Sequence, residues 1–174
     1  MWLAIIINQE VKQSAKIFRR VIRAKQGGVT MSIEMLEAKE AIREVIDQFS
    51  NLECDVEAQA KYFTKDTHIM VHMNGTLAMD IHGSDEMVKQ FSAFTKGVKA
   101  SHHMNGQQVI TVDGDKAQDV HYCRAALLVE QNGQDVIVDN YIRYTDQLVK
   151  QDGEWRIAER DQYFLMAETR PVKN

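Results

Sequence analysis

Residues 102–117 read HHMNGQQVITVDGDKA. A proline-free run with Val109, Ile110, Thr111 and Val112 leads into Asp113-Gly114-Asp115. An Asp-Gly pair closing such a run is a strong hairpin signal, because both residue types accept positive φ. The same punctuation recurs at Asn132-Gly133-Gln134 and Asp152-Gly153. The spacing predicts an antiparallel meander of four strands, residues 102–112, 117–131, 135–150 and 154–166. The single proline, Pro171, falls in an expected tail at 169–174.

Upstream the period changes. Apolar residues at 33, 36, 42, 45, 46, 49 and 52 mark one face of a helix ending near Leu52. Asp55 is placed to cap a short second helix that reaches Tyr62 and Phe63. Lys65-Asp66 turns the chain into a strand from Thr67 to Met73, which ends at Asn74-Gly75. Ser84 is placed to cap a third helix, with Asp85 and Glu86 in its first turn and Met87, Val88, Phe91 and Phe94 inward. Helices followed by a long meander give an α+β domain with the helices on one face of the sheet. Strands of this length must coil, and a coiled sheet around a helix leaves a cavity at its open end.

Composition narrows the class. With 44% apolar and 26% charged residues the chain is an ordinary globular one. Cys54 and Cys123 are too few for a disulfide scaffold and read as free thiols in a reducing, cytoplasmic setting. Residues 1–30 hold Lys12, Lys16, Arg19, Arg20, Arg23 and Lys25 against Glu10, a charge of +5 that leaves −9 for the rest of a −4 chain. An acidic body of that kind lacks the phosphate-neutralising charge of a nucleic-acid groove. The longest apolar run, residues 2–7, is too short to span a membrane.

The first thirty residues admit three readings. A signal peptide fits poorly, since the basic residues follow the apolar run. Val11, Ala15, Phe18 and Ile22 recur at the spacing of a basic amphipathic helix. Alternatively, codons for Gln26-Gly27-Gly28 can spell a purine-rich ribosome-binding sequence just before Met31, which makes 1–30 a translated leader.

Two further stretches join the first: YTDQLVKQDGEWRIAER at 144–160 and YFTKDTHIMVHMNG at 62–75, with IHGSDEM at 81–87. Together they resemble the SnoaL-like branch of the nuclear transport factor 2-like superfamily over residues 31–168. The resemblance implies a cone-shaped α+β barrel, its N-terminal helices packed on a strongly curved, mainly antiparallel sheet. It also implies a homodimer through the outer sheet face; the ligand expected in the pocket is a small apolar organic molecule, with no cofactor and no metal. His103, in His-x-x-Gly, matches the pocket histidine that serves as acid or base in scytalone-dehydratase-like members. Because side chains alternate along a strand, one of His102 and His103 points out and the other in.

The sequence departs from the catalytic members. Asn51 and Leu52 stand where they place a Tyr-Asp pair, with Glu53 and Asp55 close by as substitutes, and Leu127 replaces a second histidine. The expected catalytic residues are His103 as base and Tyr144 as electrostatic helper. Tyr122, Asn140, Met104 and Phe91 are the expected ligand contacts. Asp146 is expected to pair with Arg160 or Arg143. His68 and His72 share a strand face but lie ~13 Å apart at ~3.3 Å per residue, too far for one ion. The function so expected is ligand binding with cofactor-free dehydration, isomerisation or cyclisation; the alternative is a non-enzymatic carrier or interaction module.

Overall fold

The computed structural model describes residues 25–26, 29–30 and 32–172. The amphipathic-helix and leader readings of the N-terminus fall on residues that, apart from the two strand pairs, lie outside those described. Two short strands, β1 (Lys25–Gln26) and β2 (Val29–Thr30), pair antiparallel. Helix α1 covers Ile33–Asn51, with the Ser32 hydroxyl accepting from the Met35 N–H at 3.2 Å. The chain divides into two compact units at Glu40/Ala41, and the second of them carries the sheet and the remaining helices.

Asp55 caps α2 (Val56–Gln59), its carboxylate accepting from the Ala58 N–H at 3.1 Å. A 3-10 turn at Ala60–Tyr62 leads directly into β3, Phe63–Met73. Lys65 and Asp66 therefore lie inside the strand, at a register shift between Phe63 and His68, rather than before it. Residues 76–82, which carry no clean alternation, form β4 (Thr76–His82). Helix α3 spans Ser84–Thr95 and is preceded by Gly83, not Ser84, at the cap position. Gly83 has φ +87 and donates its N–H to the Thr67 carbonyl at 2.7 Å, a conformation that a side chain would strain.

The meander is β5 (Val98–Asp113), β6 (Lys116–Gln131), β7 (Gln134–Gln151) and β8 (Glu154–Pro171). Its three two-residue turns and that of β3–β4 are set by left-handed residues. Asn74-Gly75, Asn132-Gly133 and Asp152-Gly153 are positive in φ at both positions, and Gly114 alone is so in the fourth turn. The sheet is open and mixed, in the order β4-β3-β8-β7-β6-β5, with β3 and β8 its parallel pair. Strand β8 runs through the expected tail, pairing Pro171 with Val136. Its β3 neighbour ends opposite Phe164, so the missing proline N–H leaves no gap in that ladder.

Alternation sorts the faces. Ile69, Val71, Ile81, Cys123, Ala125, Ile142, Leu148 and Ile157 are buried on the inner side, together with Ile42 and Ile46 of α1. The α+β class, with helices against a mainly antiparallel sheet, is as the sequence indicates.

Candidate functional site

Between the inner sheet face and the helices lies a cavity of about 130 Å³. Its wall is apolar over Phe49, Val71, Phe91, Leu127, Ile142 and Phe164, with polar groups from Glu53, Gln59, His103, Asn140, Tyr144, Arg160 and Gln162. Of the residues expected to meet a ligand, His103, Tyr144, Asn140 and Phe91 belong to this wall. Met104 and Tyr122 do not, being 51% and 39% exposed. The correction follows from strand parity: turning His103 inward turns Met104 outward, and the inward Cys123 and Ala125 send Tyr122 to the outer face. His102 is exposed, as parity with His103 also requires.

His103 is fixed by Glu53. The ring Nδ1 lies 2.7 Å from Glu53 Oε2, and the His103 backbone N–H donates to Oε1 at 3.3 Å. Partial burial pushes the Glu53 carboxyl up, but hydrogen bonds from the His103 ring, the Ser101 hydroxyl and the His103 backbone outweigh it, and the net displacement is downward. The carboxyl is thus ionised at neutral pH. An ionised carboxylate only accepts, so Nδ1 carries the proton and Nε2 is left as the basic nitrogen.

Glu53 reaches that position through an uncommon backbone. It follows the C-terminus of α1 with φ +56, a left-handed conformation that helix ends usually give to glycine. Its N–H donates to the Ser50 carbonyl at 3.0 Å, and its own carbonyl accepts from Gln59 Nε2 at 2.9 Å. Gln59 also reaches the Phe49 carbonyl at 3.2 Å, so a buried amide closes the helix end. Asn105 ties the opposite side, donating to Asp47 at 3.0 Å and accepting from the Ser50 hydroxyl at 3.0 Å. Gly106 of the His-x-x-Gly motif sits in a register shift between Asn105 and Gln108, which bends β5 beside the dyad.

Arg160 supplies the second charged feature. Its Nε and Nη2 donate to Asp146 Oδ1 and Oδ2 at 2.8 and 2.7 Å, a bidentate pair with 2% and 0% side-chain exposure. Nη1 makes no hydrogen bond among the described residues. The guanidinium is packed among the rings of Phe49, Tyr144 and Phe63 at 4.5, 4.6 and 5.3 Å. Burial works against its charge, yet Asp146 more than compensates and the group is held further towards the cation.

Burial foremost drives the Tyr144 phenol well above its usual range, so it remains a neutral donor. Its ring stacks on His121 at 4.8 Å, and His121 Nδ1 meets Asp119 at 2.7 Å. Desolvation also pushes the neighbouring Cys123 thiol up to about 11. Asn140 donates Nδ2 to the Ala125 carbonyl at 3.2 Å, which orients its carbonyl oxygen.

From sequence, Glu53 stands only as a substitute and Arg160 only as a structural partner. The signal for Arg160 is its parity with Gln162 and Phe164, which puts all three on one face.

Residues 34–161 match the SnoaL-like domain family. Among solved structures, a Novosphingobium aromaticivorans protein assigned as a scytalone dehydratase shares 21% identity. It superposes with a TM-score of 0.66 over 79% of this chain and 91% of that one. An NTF2-like protein with a cystatin-like fold from the same organism shares 20%, with a TM-score of 0.61 over 76% and 85%. A type 2 hexachlorocyclohexane dehydrochlorinase shares 12%, with a TM-score of 0.65 over 80% and 93%. At these identities the likeness is one of fold. No curated protein matches the chain. Among the described residues no helix is long and apolar enough to cross a membrane.

Proposed function

The chain belongs to the SnoaL-like domain family, and on that premise we propose that its cavity binds a small, largely apolar organic molecule and removes a proton from it without a cofactor. The observation that carries this reading is the 2.7 Å contact between Glu53 and His103 in the wall of a largely apolar cavity. His103 Nε2 takes the proton, and Glu53 stabilises the imidazolium that forms. Arg160 Nη1 and the Tyr144 hydroxyl are donors for the negative charge that then develops on the substrate or its leaving group. Elimination or isomerisation fits this set, since each needs one base and donors for developing negative charge.

A general test uses 5-nitrobenzisoxazole, whose ring C–H is deprotonated as its N–O bond breaks to give a coloured cyanophenolate. The wild type is expected to accelerate this reaction, and His103→Ala to lower the rate roughly 100-fold or more. Equal rates for the two proteins would remove His103 as the base.

Leu127, which cannot move a proton, favours the second reading, a ligand carrier. That reading predicts ligand-dependent thermal stabilisation in both proteins with no proton transfer in either.

The outward side chains supply a reading for a homodimer. Met104, Arg124, Tyr141 and Met166 stand in register across β5–β8, and Tyr122, Arg143 and Tyr163 form the next row. Met104, Tyr122 and Met166 are exposed there, an apolar face suited to a second copy of the chain. Sedimentation at micromolar concentration is expected to give a dimer, and Met104→Glu a monomer.

A further inference from the structure

A second cluster lies on the other side of the sheet from the cavity. In the β3–β4 hairpin, Ile69 pairs with Ile81 and Val71 with Met79, and these face inward. The alternate residues face outward. His68 stands directly opposite His82, and Met70 opposite Asp80. The next strand continues both rows, with Glu159 opposite His68 and Asp161 opposite Met70. Two imidazoles and three carboxylates therefore share a patch on the outer face of three adjacent strands.

Two of those imidazoles and one carboxylate converge. The His68 and His82 rings stack at 4.4 Å with only 9° between their planes, so the two nitrogens lie side by side and a modest ring rotation turns both lone pairs onto one point. His68 Nε2 lies 2.7 Å and His82 Nε2 3.3 Å from the same atom, Asp80 Oδ1. Among the described residues no lysine or arginine pairs with Asp80, so its charge is met by the two imidazoles alone. The three donor atoms all lie within 4.8 Å of one another.

We propose that His68, His82 and Asp80 form a binding site for a first-row transition-metal dication, separate from the cavity. Ligands held at about 2.0–2.1 Å on a tetrahedral ion are about 3.3 Å apart. The His82–Asp80 separation already has that value, and the His68–Asp80 contact needs to open by a few tenths of an ångström. The ion would take the place of the proton that now links His68 Nε2 to the carboxylate. Two imidazoles and one carboxylate form a borderline donor set, suited to zinc, nickel or copper(II). The set is too nitrogen-rich for magnesium or calcium and lacks the thiolates of a copper(I) site. Glu159, exposed beside His68, or a water completes the coordination. The spacing argument that separated His68 from His72 along one strand still holds; the partner lies across the hairpin instead.

Zinc titration against a chromogenic chelator tests this with the full chain. The wild type is expected to take up one zinc per chain in competition with the chelator. His82→Ala and His68→Ala should each weaken uptake at least tenfold, with a smaller loss for Asp80→Asn. His72→Ala, whose ring sits over Tyr163 and against Asp161, should leave it unchanged. All four side chains lie on the outer face, so far-UV circular dichroism of each variant should match the wild type. Cobalt uptake giving visible bands that vanish in His82→Ala would show coordination by the imidazole itself. Failure of the wild type to retain zinc at millimolar metal, or undiminished uptake by a His68→Ala/His82→Ala double variant, overturns the assignment.

Discussion

Glu53 carries two opposed contributions that substitution can separate. Its left-handed backbone costs about 1–2 kcal/mol for a residue with a β-carbon, while its carboxylate gains two hydrogen bonds from His103. A charge-assisted hydrogen bond contributes about 1.5–3 kcal/mol when well buried, and an exposed ion pair about 0.2–1 kcal/mol. The Glu53 side chain is one-third exposed, which places the loss on Glu53→Ala between these limits, at about 1–2 kcal/mol. Alanine retains the backbone cost, so that difference reports the carboxylate alone. Glycine loses the same contacts but escapes the strain. Set against the larger unfolded-state entropy of glycine, about 0.4–1 kcal/mol, Glu53→Gly should be more stable than Glu53→Ala by about 0.5–1 kcal/mol.

Urea denaturation of the three proteins followed by tryptophan fluorescence measures both steps. The first step also depends on pH. Because the folded-state carboxyl titrates below its unfolded value, its contribution is fully present above the ordinary glutamate pKa of about 4.3 and is lost as pH falls through the lower folded value. The gap between wild type and Glu53→Ala should therefore close in acid, as the carboxyl is protonated. An alanine variant as stable as wild type, or a glycine variant less stable than alanine, would refute the reasoning.

Arg160→Met should destabilise by about 3–5 kcal/mol, since it strands the Asp146 carboxylate without its cation; thermal denaturation would show this, with partial recovery in Arg160→Met/Asp146→Leu. The raised Cys123 thiol keeps its proton more tightly in the folded state, so its contribution is intact below the unfolded cysteine value of about 8.5 and is lost as pH rises through about 11. A chromogenic disulfide reagent at pH 8 should accordingly modify half-buried Cys54 quickly and buried Cys123 only on unfolding. Asp55→Ala should cost about 1 kcal/mol through loss of the Ala58 cap, measurable in urea, without moving the Glu53–His103 pair.

How legible each feature is in the sequence depends on how far apart its determinants lie. The Asn-Gly and Asp-Gly turns are readable because a two-residue loop is decided by the φ preferences of its own residues. The α1 stripe and the Asp55 cap are readable for the same local reason. Strand β4 is not, because Thr76–His82 has one buried residue, Ile81, and so shows no alternation. The parallel β3–β8 pair joins segments some ninety residues apart, and no turn announces it. Without β4 the His68–His82 pair is hidden too, since it exists only once the hairpin register is known. His103 and Met104 cannot both face the cavity, and that much is legible, since neighbours on one strand point opposite ways.

Glu53 is opaque for a different reason, and that reason bears on what it does. A sequence-level rule puts glycine or asparagine where a helix ends in the left-handed region. Here the position holds a glutamate, and the surroundings hold it in place: Gln59 on its carbonyl, Ser50 on its N–H, His103 on its carboxylate. The backbone of the turn does not itself call for a glutamate, because glycine fits it with less strain. A helix-end residue that departs from the locally favoured type, and whose side chain orients a histidine of the cavity wall, is what the proposed proton transfer calls for. Arg160 follows the same logic from the opposite wall. A cation 2% exposed among three aromatic rings is a costly way to fill a core, and apolar replacements of buried ion pairs are often as stable or more so. What an apolar residue could not supply is a guanidinium in the wall of that cavity, the donor that the proposed reaction asks for.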